Sequence, residues 1–282
     1  IHSVKHIDQL TTRDVGFTPE SLYFAKLQAG NEGFLRPETM AQTSNLVQTL
    51  RGMPGVGDIT SSVYVPGAGF GAYAAATSEL TKQNISGSSV TVALNFVGER
   101  FCTTLRIPVI EGRDILYGDT ATSSENVAVL SKSAARLLLP PGTAIGQYIE
   151  IQGWDSPFQV VGITQDFVYS DIRKDTEPTV LIPYARLPQA GGMDTMYLAF
   201  RLTPGGAVLP SVLSAVKRSS PNLPVARVDS AGEILEEMLG EEILLTRMAS
   251  VASFLSLVFA AVGIAAVSSY RVAQRRHEIA VR

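Results

Sequence analysis

Residues 195–230 read TMYLAFRLTPGGAVLPSVLSAVKRSSPNLPVARVDS, a strand (TMYLAFRL), a helix (AVLPSVLSAVKRSS) and a second strand (PVARVDS), with Pro221 and Pro224 marking the return. The same order occurs near the start of the chain. SLYFAKLQ (21–28) reads as a strand, PETMAQTSNLVQTLRGM (37–53) as a helix opened by Pro37, and VGDITSSVYV (56–65) as a strand after the Pro54-Gly55 punctuation. Each unit makes a βαβ-type or split βαβ element, and the two are expected to pair into one layer of an α+β fold, because neither can bury its apolar faces alone. The segment between them is then an insertion. It holds short strands (VTVALNFV, NVAVL, YIEIQG, FQVVGIT, TVLIPY) broken by Gly and Pro, with one helix at SKSAARLLL. The expected outline is a two-lobed domain, with residues 21–63 and 195–230 in one lobe and residues 64–194 in an inserted β-rich lobe.

Charge separates the end of the chain from this domain. Residues 1–245 carry 18 basic and 25 acidic side chains, whereas residues 246–282 carry 5 basic and 1 acidic. The acidic major part has no attraction for a phosphate backbone, so nucleic acid is not an expected partner. At 282 residues and 45% hydrophobic composition the chain can bury a real core. Cys102 is the only cysteine, so no intrachain disulfide forms.

Between Met248 and Tyr270 the sequence MASVASFLSLVFAAVGIAAVSSY contains no charge, and a helix of that length, about 35 Å, spans a bilayer. Glu236, Glu237, Glu241 and Glu242 precede it, while Arg271, Arg275, Arg276 and Arg282 follow. This bias places residues 271–282 in the cytoplasm and the large domain outside. Export needs an earlier membrane segment. The opening IHSVKHIDQL is not a signal peptide, and Ile1, Val4, Ile7 and Leu10 recur at helical spacing. Residues 1–20 are therefore expected to be a stem following a membrane helix that lies upstream. A returning stem is expected at 231–247, where Leu235, Met238, Leu239 and Ile243 fall on the apolar stripe that packs the stems together.

Enzyme signatures are weak. PGAGFGAY has three glycines without the Lys-Ser/Thr of a phosphate loop, and Ser214 and Lys217 have Ser-x-x-Lys spacing without a Lys-Thr-Gly strand. His2 and His6 lack further zinc ligands. Asp166, Asp171 and Asp175 lack the glycine and closing glutamate of a calcium loop. Cys102 reads as a buried small hydrophobe. No catalytic, metal or cofactor site is expected.

The ordered series LRIPVIEGRD (105–114), NVAVLSKSAARLLLPPGTAIGQYIEI (126–151), FQVVGITQDFVYSDIR (158–173) and PTVLIPY (178–184) resembles the extracytoplasmic domain of MacB-like ABC transporter permeases. TTRDVGFTPESLYFAKLQ (11–28) is similar to the segment these proteins carry after their first membrane helix, and VGIAAVSSYRVAQRRHEIAVR (262–282) resembles the second membrane helix of FtsX-like permeases. The resemblance implies a porter-like lobe, as in drug efflux pumps, carrying an inserted β-rich lobe. It also implies location in a bacterial inner membrane and no chemistry of the chain's own. A separate ABC-type ATPase would hydrolyse ATP, and motion would pass through the membrane helices by mechanotransmission to drive export or extraction of a substrate. Arg275, Arg276, Glu278 and Arg282 would dock on that ATPase. The permease is open to pairing as a homodimer or with a second permease half. An FtsX-like module that regulates extracytoplasmic cell-wall hydrolases is the alternative; an anchored enzyme is disfavoured by the missing catalytic constellation. For the Gly-Arg-Asp segment the expected role is structural, with Gly112 making a turn that Arg113 fixes through a nearby carboxylate.

Overall fold

The computed structural model describes residues 14–237, except 30–32, 35–36, 70, 85–88, 121–124, 141, 143, 171–175, 188–193 and 205–208, together with Ser256 and Ala260. In chain order the elements are β1 (Leu22–Gln28), α1 (Pro37–Arg51), β2 (Val56–Ser62), β3 (Ala72–Thr77), α2 (Glu79–Asn84), β4 (Val90–Val97), α3 (Phe101–Leu105) and β5 (Val109–Gly112). There follow β6 (Val127–Ser131), α4 (Lys132–Leu138), β7 (Tyr148–Ile151), β8 (Phe158–Thr164), β9 (Thr179–Pro183), β10 (Thr195–Leu202), α5 (Leu209–Ser219) and β11 (Val225–Ser230). Residues 231–237 continue as helix.

The two strand-helix-strand units interleave. The strand order is β11-β1-β10-β2, with every neighbouring pair antiparallel. β10 thus lies between the strands of the first unit, and β1 between those of the second. This is the split βαβ arrangement, in which each unit's gap is filled by the other. Strand period two then sorts the side chains. Ala25, Leu27, Ile59, Met196, Leu198 and Phe200 belong to the main core with Leu46, Val47 and Leu50 of α1 and Val212, Ala215 and Val216 of α5. Those helix positions recur at three- and four-residue spacing, so each helix offers one apolar stripe, and the two helices pack side by side. Glu38 in the first turn of α1 and Arg51 in its last complement the helix dipole. On the opposite sheet face, Leu22, Phe24 and Ala199 are buried, and α3 packs across β2 and β10.

The remaining strands close on themselves. β4 pairs with β3, β3 with β7, β7 with β8, β8 with β6, β6 with β9, and β9 again with β4. The result is a closed six-strand barrel of mixed parallel and antiparallel pairs, with β5 added beside β8. Closure leaves no barrel edge to template aggregation. Val92, Leu94, Phe96, Phe158, Val180 and Ile182 join the main core cluster, and each such buried side chain stabilises by about 1.5–3 kcal/mol. The barrel meets the four-strand sheet at one ladder pair, Ser62 with Val97. Asn95, fully buried, reinforces that junction: its Nδ2 donates to the Tyr64 carbonyl at 3.0 Å and its Oδ1 accepts the Tyr64 N–H at 3.1 Å.

Three elements depart from the reading of the sequence. β3 is AYAAAT, nearly devoid of the β-branched residues that advertise a strand, and exists because β4 and β7 pair with it. α2 was also not anticipated. α3 holds Cys102 and is a five-residue helix bracketed by left-handed residues, Arg100 (φ 58°) and Arg106 (φ 59°), too short to show a helical period. Among the described residues no helix is long and apolar enough to cross a membrane. The expected span at 248–270 lies outside them, apart from Ser256 and Ala260, which are helical and exposed.

Candidate functional site

Where β11 hands over to the helix at 231–237, the sequence Ser230-Ala-Gly-Glu233 forms a reciprocal cap. The Ser230 N–H donates to Glu233 Oε2 at 2.8 Å, and the Glu233 N–H donates to Ser230 Oγ at 3.1 Å. The Ser230 N–H, and the Ser230 hydroxyl donating to the same oxygen at 2.9 Å, favour the ionised form and hold the Glu233 carboxyl below its ordinary range. The Ser-x-x-Glu spacing is the local sequence signal of this cap. Arg227 adds a second tie, donating from Nε to Asp229 at 2.6 Å and from Nη2 to Glu237 at 2.9 Å. Strand and helix therefore leave the sheet as one braced piece.

Leu235 of that helix is half-buried against Gly67. A Cβ on Gly67 would lie 2.8 Å from Leu235 Cδ2, and Gly67 has a φ of +80°. The loop holding Gly67 joins β2 to β3 and so carries the chain from the sheet into the barrel. Two hydrogen bonds clamp it: Gly67 N–H to the Tyr169 carbonyl at 2.8 Å and Gly69 N–H to the Ser170 carbonyl at 2.7 Å. Both amides are thus spent on backbone carbonyls, which removes the loop as a phosphate cradle.

Tyr169 links the loop to the barrel. Its ring is buried in the space a side chain at Gly71 would need. Its hydroxyl donates to the Leu94 carbonyl of β4 and accepts the Ala72 N–H of β3 at 3.2 Å. Burial pushes this phenol well above the ordinary tyrosine range, so it stays protonated as a donor. Tyr64 and Tyr73 pack edge-on to it at 6.5 and 6.3 Å. Tyr73 hydrogen-bonds Glu177 at 3.0 Å, and Glu177 also accepts from Ser170 Oγ at 2.6 Å. Packing and hydrogen-bond contacts therefore run continuously from helix to loop to barrel.

A second junction centres on Arg201 of β10, which is 5% exposed. Its guanidinium donates only to carbonyls: Nε to Thr104 at 2.6 Å, Nη1 to Glu20 at 2.6 Å, and Nη2 to Thr18 at 2.5 Å and Leu105 at 3.2 Å. Burial pushes its pKa down to about 10, and nearby Arg106 adds to the shift. One side chain thus fastens the central strand to both the entering chain and α3. Nothing in the sequence singled it out.

Of the residues singled out beforehand, Leu235 is in the path just described, while Met238, Leu239, Ile243, Arg275, Arg276, Glu278 and Arg282 lie outside the described residues. Arg113 forms a two-pronged pair with Asp119 at 2.6 and 3.1 Å, and Gly112 turns with a φ of +73°. Asp114 accepts the Thr103 N–H at 2.9 Å, so the Gly-Arg-Asp segment braces α3. Ser214 Oγ donates to the Pro210 carbonyl at 2.8 Å within its own helix. Cys102 is fully buried, and burial raises its thiol well above the ordinary range. Asp166 caps α4 by accepting the Ser133 N–H at 2.7 Å. His2, His6, Asp171 and Asp175 are outside the described residues, and among those described no cluster of His, Cys, Asp or Glu could hold a metal ion.

The family model for the MacB-like periplasmic core domain matches residues 21–218. The chain belongs to that family. The matched span runs from β1 to the end of α5 and so takes in the barrel and most of the four-strand sheet. Among solved structures, the periplasmic region of MacB from Actinobacillus actinomycetemcomitans is similar at a TM-score of 0.51 and 13% identity, covering 81% of this chain and 97% of that one. The extracellular domain of the noncanonic ABC-type transporter YknZ from Gram-positive bacteria is similar at a TM-score of 0.41 and 15% identity, covering 77% and 95%. At 13% identity the likeness to the MacB structure concerns the fold alone. No curated protein matches the chain. Residues 21–218 are thus a MacB-like periplasmic core domain of a membrane transporter permease, a family that works with an ABC ATPase.

Proposed function

We propose that this MacB-like chain couples ATP hydrolysis by a cytoplasmic ABC ATPase to export or extraction of a substrate, by mechanotransmission through a helix running from residue 231 into the membrane. The observation that carries the reading is the seat of Leu235 on Gly67. A stem that merely tethered the domain would need no contact with the loop joining sheet and barrel. Shifts of packed helices are a recognised way to pass motion between sites, and they require a stiff path. Residues 21–63 and 195–230 act as the porter-like lobe, 64–194 as the inserted lobe, 1–20 and 231–247 as stems, 248–270 as the span in a bacterial inner membrane, and 271–282 as the segment docking on the ATPase. Arg275, Arg276, Glu278 and Arg282 make that dock, and a second permease half or a second copy completes the transporter.

The test is to follow the distance between spin labels at exposed Tyr117 and Lys217 in membranes containing the permease and its ATPase, with ADP and with a non-hydrolysable ATP analogue. The distance is expected to change between the two nucleotides, and a Gly-Ser insertion after Leu245 is expected to abolish the change, since a random-coil linker transmits no rotation or shift. A change that survives the insertion would show the stem to be only a tether.

A further inference from the structure

Between β5, β8 and α4 runs an open groove of ≈ 290 Å³, remote in sequence from the stem and its loop. That volume lies just under the usual range for ligand sites, about 300–1,000 Å³. Its floor is apolar, formed by Ile110, Ala135, Leu139, Ala144 and Ile163. Ile110 is 44% exposed there, and Val109 and Ile145 beside it are 37% and 42% exposed. The bulge between Val109 and Glu111 takes Ile110 out of the ladder with β8. Beside the groove the two strands are closely packed, for Gly112 abuts the Val161 carbonyl and Gly162 abuts the Arg113 carbonyl so closely that neither has room for a Cβ.

Its rim is charged on both sides but unequally. Lys132 and Arg136, one turn apart on α4, line one side, and Glu111 lines the other. The ion pairs among the described residues involve none of the three. Two cations against one carboxylate, above an apolar floor, suit an anion with a hydrocarbon tail. We propose that this groove binds a single-chain amphiphilic anion of the fatty-acid class, its carboxylate between Lys132 and Arg136 and its chain along Ile110, Leu139 and Ile163. A neutral amphiphile would leave the cations unanswered, and a short hydrophilic anion would leave the floor wet. The site is independent of the transport reading.

The probe is dodecanoate carrying a terminal diazirine, photolysed with the full 282-residue chain in membrane vesicles, followed by mapping of the labelled peptides. Label is expected on the peptides containing residues 109–112 and 132–140. Unlabelled carboxylates should compete about fourfold more strongly for each added methylene between decanoate and dodecanoate. Dodecanol should compete about tenfold less well than dodecanoate, because it lacks the charge-assisted hydrogen bonds. Replacing Lys132→Ala and Arg136→Ala together should cut labelling of these peptides about tenfold while labelling elsewhere in the chain persists, and Ile110→Asn, at an exposed position, should also weaken it. Labelling indifferent to the double substitution, equal competition by dodecanol, or label confined to other segments would each overturn the proposal.

Discussion

Leu235 Cδ2 stands 2.8 Å from the position a Cβ on Gly67 would occupy. The helix that leaves β11 and the loop that enters the barrel are thus in contact at a point where only glycine fits. The same loop is held to Tyr169 and Ser170 by its own amides, so helix, loop and barrel are joined by a chain of contacts that does not run through the sheet.

Gly67→Ala is expected to destabilise the domain through two separable effects. The left-handed φ costs a non-glycine residue about 1–2 kcal/mol, and the added methyl overpacks against Leu235 for about 1–3 kcal/mol more. Chemical denaturation of Gly67→Ala, Leu235→Ala and the double variant separates them. The double variant should recover the steric part and keep the backbone part, giving a coupling energy in the cycle. Strict additivity would mean that Leu235 does not press on the loop.

Arg201→Met should lower stability by about 3 kcal/mol or more, since it leaves the carbonyls of Thr18, Glu20, Thr104 and Leu105 without their shared donor. Arg201→Lys should be only partly restorative, because one ammonium cannot reproduce the planar fork. Thermal unfolding of both variants is the check. As for pH, a folded pKa of about 10 against an ordinary 12.5 means the burial penalty is fully present below pH 10 and relieved only above it. Arg201 should add no pH dependence to stability between pH 6 and 9.

The Glu233 cap should titrate. Its folded pKa lies below the ordinary 4.5, so its contribution is present above that value and lost as pH falls through the folded pKa. Carbon chemical shifts across 231–237 should move toward coil on acidification, and Glu233→Gln should abolish that titration. An unchanged profile in the variant would place the transition elsewhere.

The membrane orientation is open to a direct measurement. If the arginines after Tyr270 set the orientation as proposed, a cysteine at position 280 should be protected from impermeant thiol reagents in intact cells and become reactive on lysis. Cys102 should stay silent in both, being fully buried. Reactivity of position 280 from outside would reverse the topology.

The sequence by itself determined the local elements of the four-strand sheet. β1, β2, β10 and β11 alternate or bear turn residues at their ends, and α1 and α5 present apolar residues at helical spacing, so short-range patterning was enough to name and order them. The Ser-x-x-Glu cap and the charge bias around 248–270 are equally local. What only the tertiary structure decided is who meets whom. β3 is an alanine-rich strand that carries little strand signal of its own and is held between β4 and β7, the latter far along the chain. Barrel closure rests on the parallel pairing of β4 with β9, whose partners are more than eighty positions apart in sequence, as in Ala93 with Thr179. The burial of Arg201 and the seat of Leu235 on Gly67 depend on the same long-range closure. Pairing of this kind is chosen by the sum of apolar burial and hydrogen bonding over the whole domain, and no window of sequence contains both sides of that balance.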